Sequence, residues 1–226
     1  MSDFCIKLNK IIGLQKYDKF SSEIDWDENG KKLFFDCIEN NKILSKNDFD
    51  RALAILLNFL GFSYDSKSEI LRILKALKIL IKNSKFCNDR NGQILKTFRI
   101  AISTKNAEIL DILFLFIFET AEIFIEKTDF LYKNDFEEIV LRILDEAEYV
   151  QTINNDIDYN LAKTYSKSIK LMTKALKFHS VLYFQKIFNV ALNYLKSDCG
   201  SVVENSIETL EIMFDICPER ASKYFV

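Results

Sequence analysis

The chain has 226 residues, of which 49% are apolar and 28% are charged, and its formal net charge at pH 7 is −2. This composition allows a sizeable core and argues against intrinsic disorder. Turns in sheet proteins use glycine and proline, and the chain has only five Gly and one Pro. We therefore predict an all-α protein whose helices are joined by short polar loops.

Helical periodicity runs through almost the whole chain, and several helix ends carry sharp signals. Ser66 and Glu69 form a capping box at the start of one helix, Asn47 or Asp48 caps another, and Pro218 ends a third. In chain order the pattern predicts helices over 3–12, 29–40, 48–60, 67–82, 91–103, 106–126, 134–148, 158–178, 181–196, 202–216 and 219–225.

The linkers between these helices are short and rich in Asn, Asp and Ser. The least regular one is the segment 150–160. We predict a single all-helical domain over residues 1–226, in which 150–160 is the place for a hinge.

The most apolar stretch, Ile109 to Phe118, is too short to span a bilayer and contains Asp111. We expect a buried core helix there and no membrane span. The five cysteines, at 5, 37, 87, 199 and 217, are odd in number and widely spaced. Since residues 1–10 lack a long apolar core, we also expect no signal peptide, reduced thiols and a cytoplasmic or nuclear location.

Similar helical stretches recur along the chain at a nearly constant spacing. The stretch that begins at Glu69 is followed by a similar one at Glu108, 39 residues later, and the stretch at Ser168 by another at Ser206, 38 residues later. A period near 40 is typical of armadillo and HEAT repeats. The sequence therefore predicts an α-solenoid of armadillo/HEAT-like repeats, with an irregular helical bundle as the alternative.

Charge is distributed unevenly along the chain. Residues 108–158 contain 14 acidic and 3 basic side chains, whereas residues 159–197 contain seven lysines and no acid. Five of these lysines lie four, three, four and three residues apart, which places them on one side of a helix: Lys163, Lys167, Lys170, Lys174 and Lys177. Neutralisation between neighbouring helices and a binding surface for an acidic partner both remain open explanations.

A second helix repeats the arrangement with Arg72, Lys75, Lys78 and Lys82. In stacked repeats, one helix of each unit lines a concave surface that commonly binds a partner. We therefore name both sets as candidate partner-binding residues. Nucleic acid is the weaker choice of partner, because an acidic segment that would repel phosphate adjoins the lysines.

No catalytic signature appears in the chain. His179 is the only histidine, no two cysteines form a Cys-x-x-Cys pair, and the five glycines are isolated from one another. We expect no enzyme activity, no catalytic or metal-binding residues and no cofactor.

Three stretches resemble the armadillo-type core of the synembryn family. They are ILRILKALKILIKNS at Ile70–Ser84, EILDILFLFIFETA at Glu108–Ala121 and the ending LEIMFDICPERASKYFV. The resemblance implies a chaperone and nucleotide-exchange factor for G-protein α subunits, whose concave surface holds the C-terminal helix of its client. The chain is much shorter than members of that family, and no individual binding residue can be carried over.

Three functional hypotheses follow. The first is a non-enzymatic interaction module that binds an acidic segment or a helix C-terminus in a partly basic groove. The second is a synembryn-like regulator of a nucleotide-binding protein, which holds a conformation of its client. The third is a helical subunit of a larger assembly, with an apolar face for its neighbours. The sequence leaves the oligomeric state open.

Overall fold

A computed structural model of the protein describes residues 6–7, 10, 16–17, 24–25, 27–40, 46–62, 66–83, 91–121, 133–152 and 159–224. The prediction of an all-α protein is confirmed. Most of the described residues are helical, and the only strands among them are β1 (Lys16–Tyr17) and β2 (Ile24–Asp25), which form a two-residue antiparallel pair. The chain divides into two compact units, Met1–Arg90 and Asn91–Val226.

The described part of the first unit includes the helices α1 (Glu28–Asn40), α2 (Lys46–Phe62) and α3 (Lys67–Asn83). Its core includes three phenylalanine rings, Phe34, Phe35 and Phe59, whose centroids lie 5.7–6.0 Å apart. Two ion pairs join α1 to α3: Lys31, near the start of α1, pairs with Glu69 at 2.8 Å, and Glu39, near the end of α1, pairs with Lys75 at 2.9 Å. Since residue numbers rise together along both helices, α1 and α3 run in the same direction.

The second unit contains seven α-helices in its described part. They are α4 (Asn91–Ala101), α5 (Ala107–Glu119), α6 (Lys133–Thr152), α7 (Tyr159–Leu176), α8 (Phe184–Tyr194), α9 (Gly200–Ile216) and the short α10 (Pro218–Ala221). The described part also includes two 3₁₀ turns, Lys177–Tyr183 and Ser222–Tyr224. The helix α5 covers the predicted apolar stretch, and most of its side chains are buried. No helix in the described part of the chain has the length and apolar character needed to cross a membrane.

Helices α5, α7 and α9 lie side by side and run in the same direction. Between α5 and α7, the hydroxyl of Thr164 donates to the carbonyl of Ala107 at 3.3 Å, and Lys167 pairs with Asp111 one turn further on. Between α7 and α9, Asn205 donates to Ser166 at 3.2 Å. These contacts make α7 the middle helix of this set.

Helices α4, α6 and α8 form a second parallel set. Arg99 on α4 pairs with Glu138 on α6, and Asp145 on α6 pairs with Lys186 on α8. Further along, the hydroxyl of Tyr194 donates to the carbonyl of Ala147 at 3.1 Å. The two sets pack on each other through aromatic rings, with Phe98 against Phe116 and Phe188 against Phe214.

Most predicted helices are present, and many of their ends differ from the predicted bounds by one or more residues. The helix predicted at 48–60 begins at Lys46, ahead of Asn47 and Asp48. The helix predicted at 158–178 ends at Leu176, because Lys177 takes a left-handed conformation with φ of 49° and a 3₁₀ turn follows. The predicted stop at Pro218 is confirmed, since α9 ends at Ile216. The predicted capping box is present in one half, as the Glu69 N–H donates to Ser66 Oγ at 3.4 Å.

Some predictions fall wholly or partly outside the described residues. In the helix predicted at 3–12, only residues 6–7 and 10 are described, and they are helical. The helix predicted at 106–126 is described as far as residue 121, and α5 itself ends at Glu119. In the proposed hinge at 150–160, residues 153–158 are not described, so the hinge and the single domain over 1–226 stay predictions.

Candidate protein-binding surface

The five lysines predicted to lie on one side of a helix belong to α7 and the residue that follows it. We call Lys163, Lys167, Lys170, Lys174 and Lys177 the α7 lysine face. The opposite side of α7 is buried, as the spacing predicts, and includes Tyr165, Ile169, Met172 and Leu176. Burial of that apolar side fixes the rotation of α7 and thereby turns the lysines outward.

Neighbouring helices supply acids to three of the lysines. The ammonium group of Lys167 lies 2.7 and 2.8 Å from the two carboxylate oxygens of Asp111 on α5. On the other side of α7, Glu208 of α9 accepts hydrogen bonds from Lys170 at 3.1 Å and Lys174 at 3.5 Å. The hydrogen bond from Lys170 is the main cause that lowers the pKa of Glu208. Neutralisation between helices therefore accounts for part of the charge pattern.

The pairing leaves the α7 lysine face with more positive than negative charge. Glu208 is a single carboxylate that two lysines share, and the side chain of Lys174 is still 53% exposed. Lys163, one turn before Lys167, is exposed and has no acidic hydrogen-bond partner in the described part of the chain. Lys177 is also exposed, and its left-handed backbone sets it apart from the four helical lysines.

The second predicted set lies on α3 in the first unit, and three of its four members have contacts. The guanidinium of Arg72 lies 4.5 Å from the centroid of the Phe35 ring, a cation–π contact. Lys75 pairs with Glu39, Lys78 is half-buried and also has a partner, and Lys82 is exposed. Arg72 and Lys75 thus hold α3 against α1, which leaves fewer cations of this set for a partner.

The spacing of the lysines did not identify Asp111 and Glu208 as their partners. A signal for each was present, since Asp111 is the one charge inside the most apolar stretch. Glu208 follows Lys170 by 38 residues, which is the spacing of the similar stretches. Helices that recur at that spacing and lie side by side bring such residues to the same level.

Other chemistry is sparse in the described residues. No group of three or more His, Cys, Asp or Glu side chains among them could hold a metal ion. His179 is exposed on the 3₁₀ turn after α7. The thiols of Cys199 and Cys217 are free, Cys37 is buried, and Cys5 and Cys87 lie outside the described residues.

No protein-family model matches the chain, and neither the curated proteins nor the solved structures contain a match. The resemblance to synembryn, and the exchange activity that it implies, therefore stay predictions.

Proposed function

We propose that this protein is a non-enzymatic interaction module that binds an acidic protein segment or a helix C-terminus on the α7 lysine face. One observation carries the proposal. Four lysines on one side of α7 are matched by two carboxylates, Asp111 and Glu208, so the face keeps an excess of positive charge at its exposed positions.

We also propose that the helices of the second unit are armadillo/HEAT-like repeats. This proposal is supported by the number of residues that separates partners on parallel helices. Lys170 and Glu208 are 38 residues apart in the chain, and Asp145 and Lys186 are 41 residues apart. A period near 40 is typical of these repeats. Stacked repeats expose one continuous surface across neighbouring helices, which suits the recognition of an extended segment or a helix.

The ion pairs within the face shape how such a partner would bind. Asp111 and Glu208 hold Lys167 and Lys170 in place, so these ammonium groups are already ordered before the partner arrives. Exposed charges such as Lys163 and Lys174 act mainly on the association rate and on its salt dependence. Binding should therefore weaken as the salt concentration rises.

The test reverses the charge of Lys163 and Lys174, the two helical lysines of this face that contribute least to the contacts between helices. Lys163→Glu/Lys174→Glu leaves Lys167, Lys170 and their acidic partners unchanged, whereas reversal of Lys167 and Lys170 would break the contacts from α7 to α5 and the closer of the two contacts to α9. The control is Lys96→Glu/Lys196→Glu, which changes the net charge equally at exposed positions away from this face. Each tagged variant is used for a pull-down from a lysate of the source cell, and captured proteins are identified by mass spectrometry.

We expect the control to retain the partner of the unmodified protein and the α7 variant to lose it. The binding constant of that partner, once purified, should weaken by about tenfold in the α7 variant, since each lost charge contact contributes about 0.5–1 kcal/mol. Circular dichroism confirms that both variants keep their helices. Equal capture by the two variants would show that the lysines are only a solvated face.

A further inference from the structure

The outer side of α9 differs from the α7 lysine face in charge and shape. Val203 and Ile207 form an apolar centre there, and Ile207 is 46% exposed. They line a shallow depression of about 480 Å³ whose other lining residues are mostly acidic or small: Ser197, Asp198, Gly200, Glu204, Glu208 and Glu211. We call the surface formed by Gly200, Val203, Glu204, Ile207 and Glu211 the α9 outer face.

The parallel packing of α7 and α9 identifies the counterpart of this face. Lys170 and Glu208 lie at the same level with an offset of 38 residues. That offset relates Gly200, Glu204, Ile207 and Glu211 on α9 to Ala162, Ser166, Ile169 and Thr173 on α7. All four counterparts on α7 are buried, and Ile169 is only 1% exposed.

Helix α9 itself accounts for much of that burial on α7. Asn205 of α9 donates to Ser166, which places this side of α7 against α9. The corresponding side of α9 is not covered by any other helix in the described part of the chain. Its residues Gly200, Glu204, Ile207 and Glu211 are all exposed. The α9 outer face is therefore the position that another helix would occupy if the parallel packing were continued.

The residues of the face define the chemistry of such a helix. Its centre is apolar, so a partner needs an apolar stripe to cover Val203 and Ile207. In the described part of the chain no basic side chain bonds to Glu204 or Glu211, so the partner needs lysine or arginine beside that stripe. The contact from α5 to α7 provides a precedent, since Asp111 on the earlier helix is bound by Lys167 on the later one.

We propose that the α9 outer face binds a basic amphipathic helix of a partner protein, aligned beside α9 as α9 lies beside α7. This site is separate from the α7 lysine face, which is proposed to bind an acidic partner, and neither proposal depends on the other. The two faces select opposite charges, so they bind different segments.

The experiment uses the full chain and two designed peptides. The first is a fluorescently labelled helical peptide of leucine, alanine and lysine with the leucines on one side, and its twin carries glutamate in place of every lysine. Fluorescence anisotropy is measured as the protein is added to each peptide. We expect saturable binding of the lysine peptide. The α9 outer face should not bind the glutamate twin, and any binding of the twin by the α7 lysine face should be lost in Lys163→Glu/Lys174→Glu.

Two sets of variants locate the site. We expect Glu204→Lys/Glu211→Lys to weaken the lysine peptide by about tenfold, since it replaces two attractive charges by repulsive ones. The control Glu148→Lys/Glu219→Lys has the same change of charge at exposed positions elsewhere and should bind as the unmodified protein does. Likewise Ile207→Ser should weaken binding by about fivefold, while Leu141→Ser, at another exposed apolar residue, should not.

The outcomes separate this proposal from general attraction between opposite charges. Absence of saturable binding would overturn it, and so would equal weakening by the two charge variants or equal binding by Ile207→Ser and Leu141→Ser. The protein with Lys163→Glu/Lys174→Glu should keep its affinity for the lysine peptide. Loss of acidic partners by that variant and loss of the lysine peptide by Glu204→Lys/Glu211→Lys are thus independent results.

Discussion

Two buried tyrosines give the second unit its clearest dependence on pH. Tyr165 packs against the ring of Phe114, and Tyr194 donates its hydroxyl hydrogen bond to Ala147. The pKa of Tyr165 is raised from an ordinary value of 10 to about 12. Burial is the largest cause, and the negative charge of nearby Glu146 contributes to the same shift. Burial also raises the pKa of Tyr194 well above its usual range. Both phenols are thus held in the neutral form.

This shift predicts a loss of stability at alkaline pH. An acid whose pKa is higher in the folded state contributes stability that is fully present below its unfolded pKa and is lost as the pH rises through the folded value. For Tyr165 that window runs from about pH 10 to about pH 12. We expect the free energy of unfolding, measured in urea, to fall less steeply with pH in Tyr165→Phe than in the unmodified protein.

The exposed Tyr149 serves as the control, because Tyr149→Phe leaves the buried phenols in place. All other titratable groups are the same in the two variants, so their contributions cancel in the comparison. Identical slopes for Tyr165→Phe and Tyr149→Phe would contradict the assignment. Tyrosinate absorbance, followed in parallel, reports the ionisation directly.

Residue types and their spacing predicted which side of α7 carries the lysines, but not which lysines are paired. The buried residues Tyr165, Ile169, Met172 and Leu176 follow from helical periodicity alone. Pairing with Asp111 and Glu208 depends on which helices become neighbours, and those partners are 56 and 38 residues distant in the chain. A local pattern contains no information on contacts of that kind.

At the scale of the elements, the end of α7 is where periodicity was misleading. Apolar and basic residues continue past Leu176 at helical spacing, and no Gly or Pro marks a stop. The helix nevertheless ends there, with Lys177 at φ of 49°. A left-handed residue commonly ends a helix, and glycine is usual at that position because it has no Cβ to clash. Neither Gly nor Pro stands at this position, so the sequence pattern could not reveal the end of the helix.

The left-handed residue leads to a prediction about stability. We expect Lys177→Gly to be more stable than Lys177→Ala by about 1 kcal/mol, since alanine keeps the steric conflict of a Cβ at positive φ and glycine removes it. Both variants lose the lysine side chain and its contacts, so their difference isolates the backbone effect. Urea unfolding of the two variants measures it. If Lys177→Ala is as stable as Lys177→Gly, or more stable, residue 177 is not left-handed in solution.

At the scale of the whole molecule, the all-α class followed from composition, and the spacing of similar stretches anticipated the offset between parallel helices. Ser168 and Ser206 were matched at 38 residues, the offset that also separates Lys170 from Glu208. The interval from α5 to α7 is longer, because Asp111 and Lys167 are 56 residues apart. A fixed period in the sequence could not anticipate that longer step or the division into two units.

That division makes a prediction about folding. The unit Asn91–Val226 has its own aromatic core, with Phe98 on Phe116 and Phe188 on Phe214, and its own ion pairs between parallel helices. A fragment of residues 91–226 should therefore be helical alone and unfold in urea as one cooperative transition.

The polar contacts within the unit provide a sharper readout on the same fragment. Tyr194→Phe removes a buried hydrogen bond to the carbonyl of Ala147 and should destabilise the fragment and the full chain alike, by about 1 kcal/mol. Equal losses would mean that this core folds in the same way in both proteins. A fragment without a cooperative transition, or one insensitive to Tyr194→Phe, would show that the core of this unit forms only in the full chain. The surfaces on α7 and α9 would then have to be tested in the full chain alone.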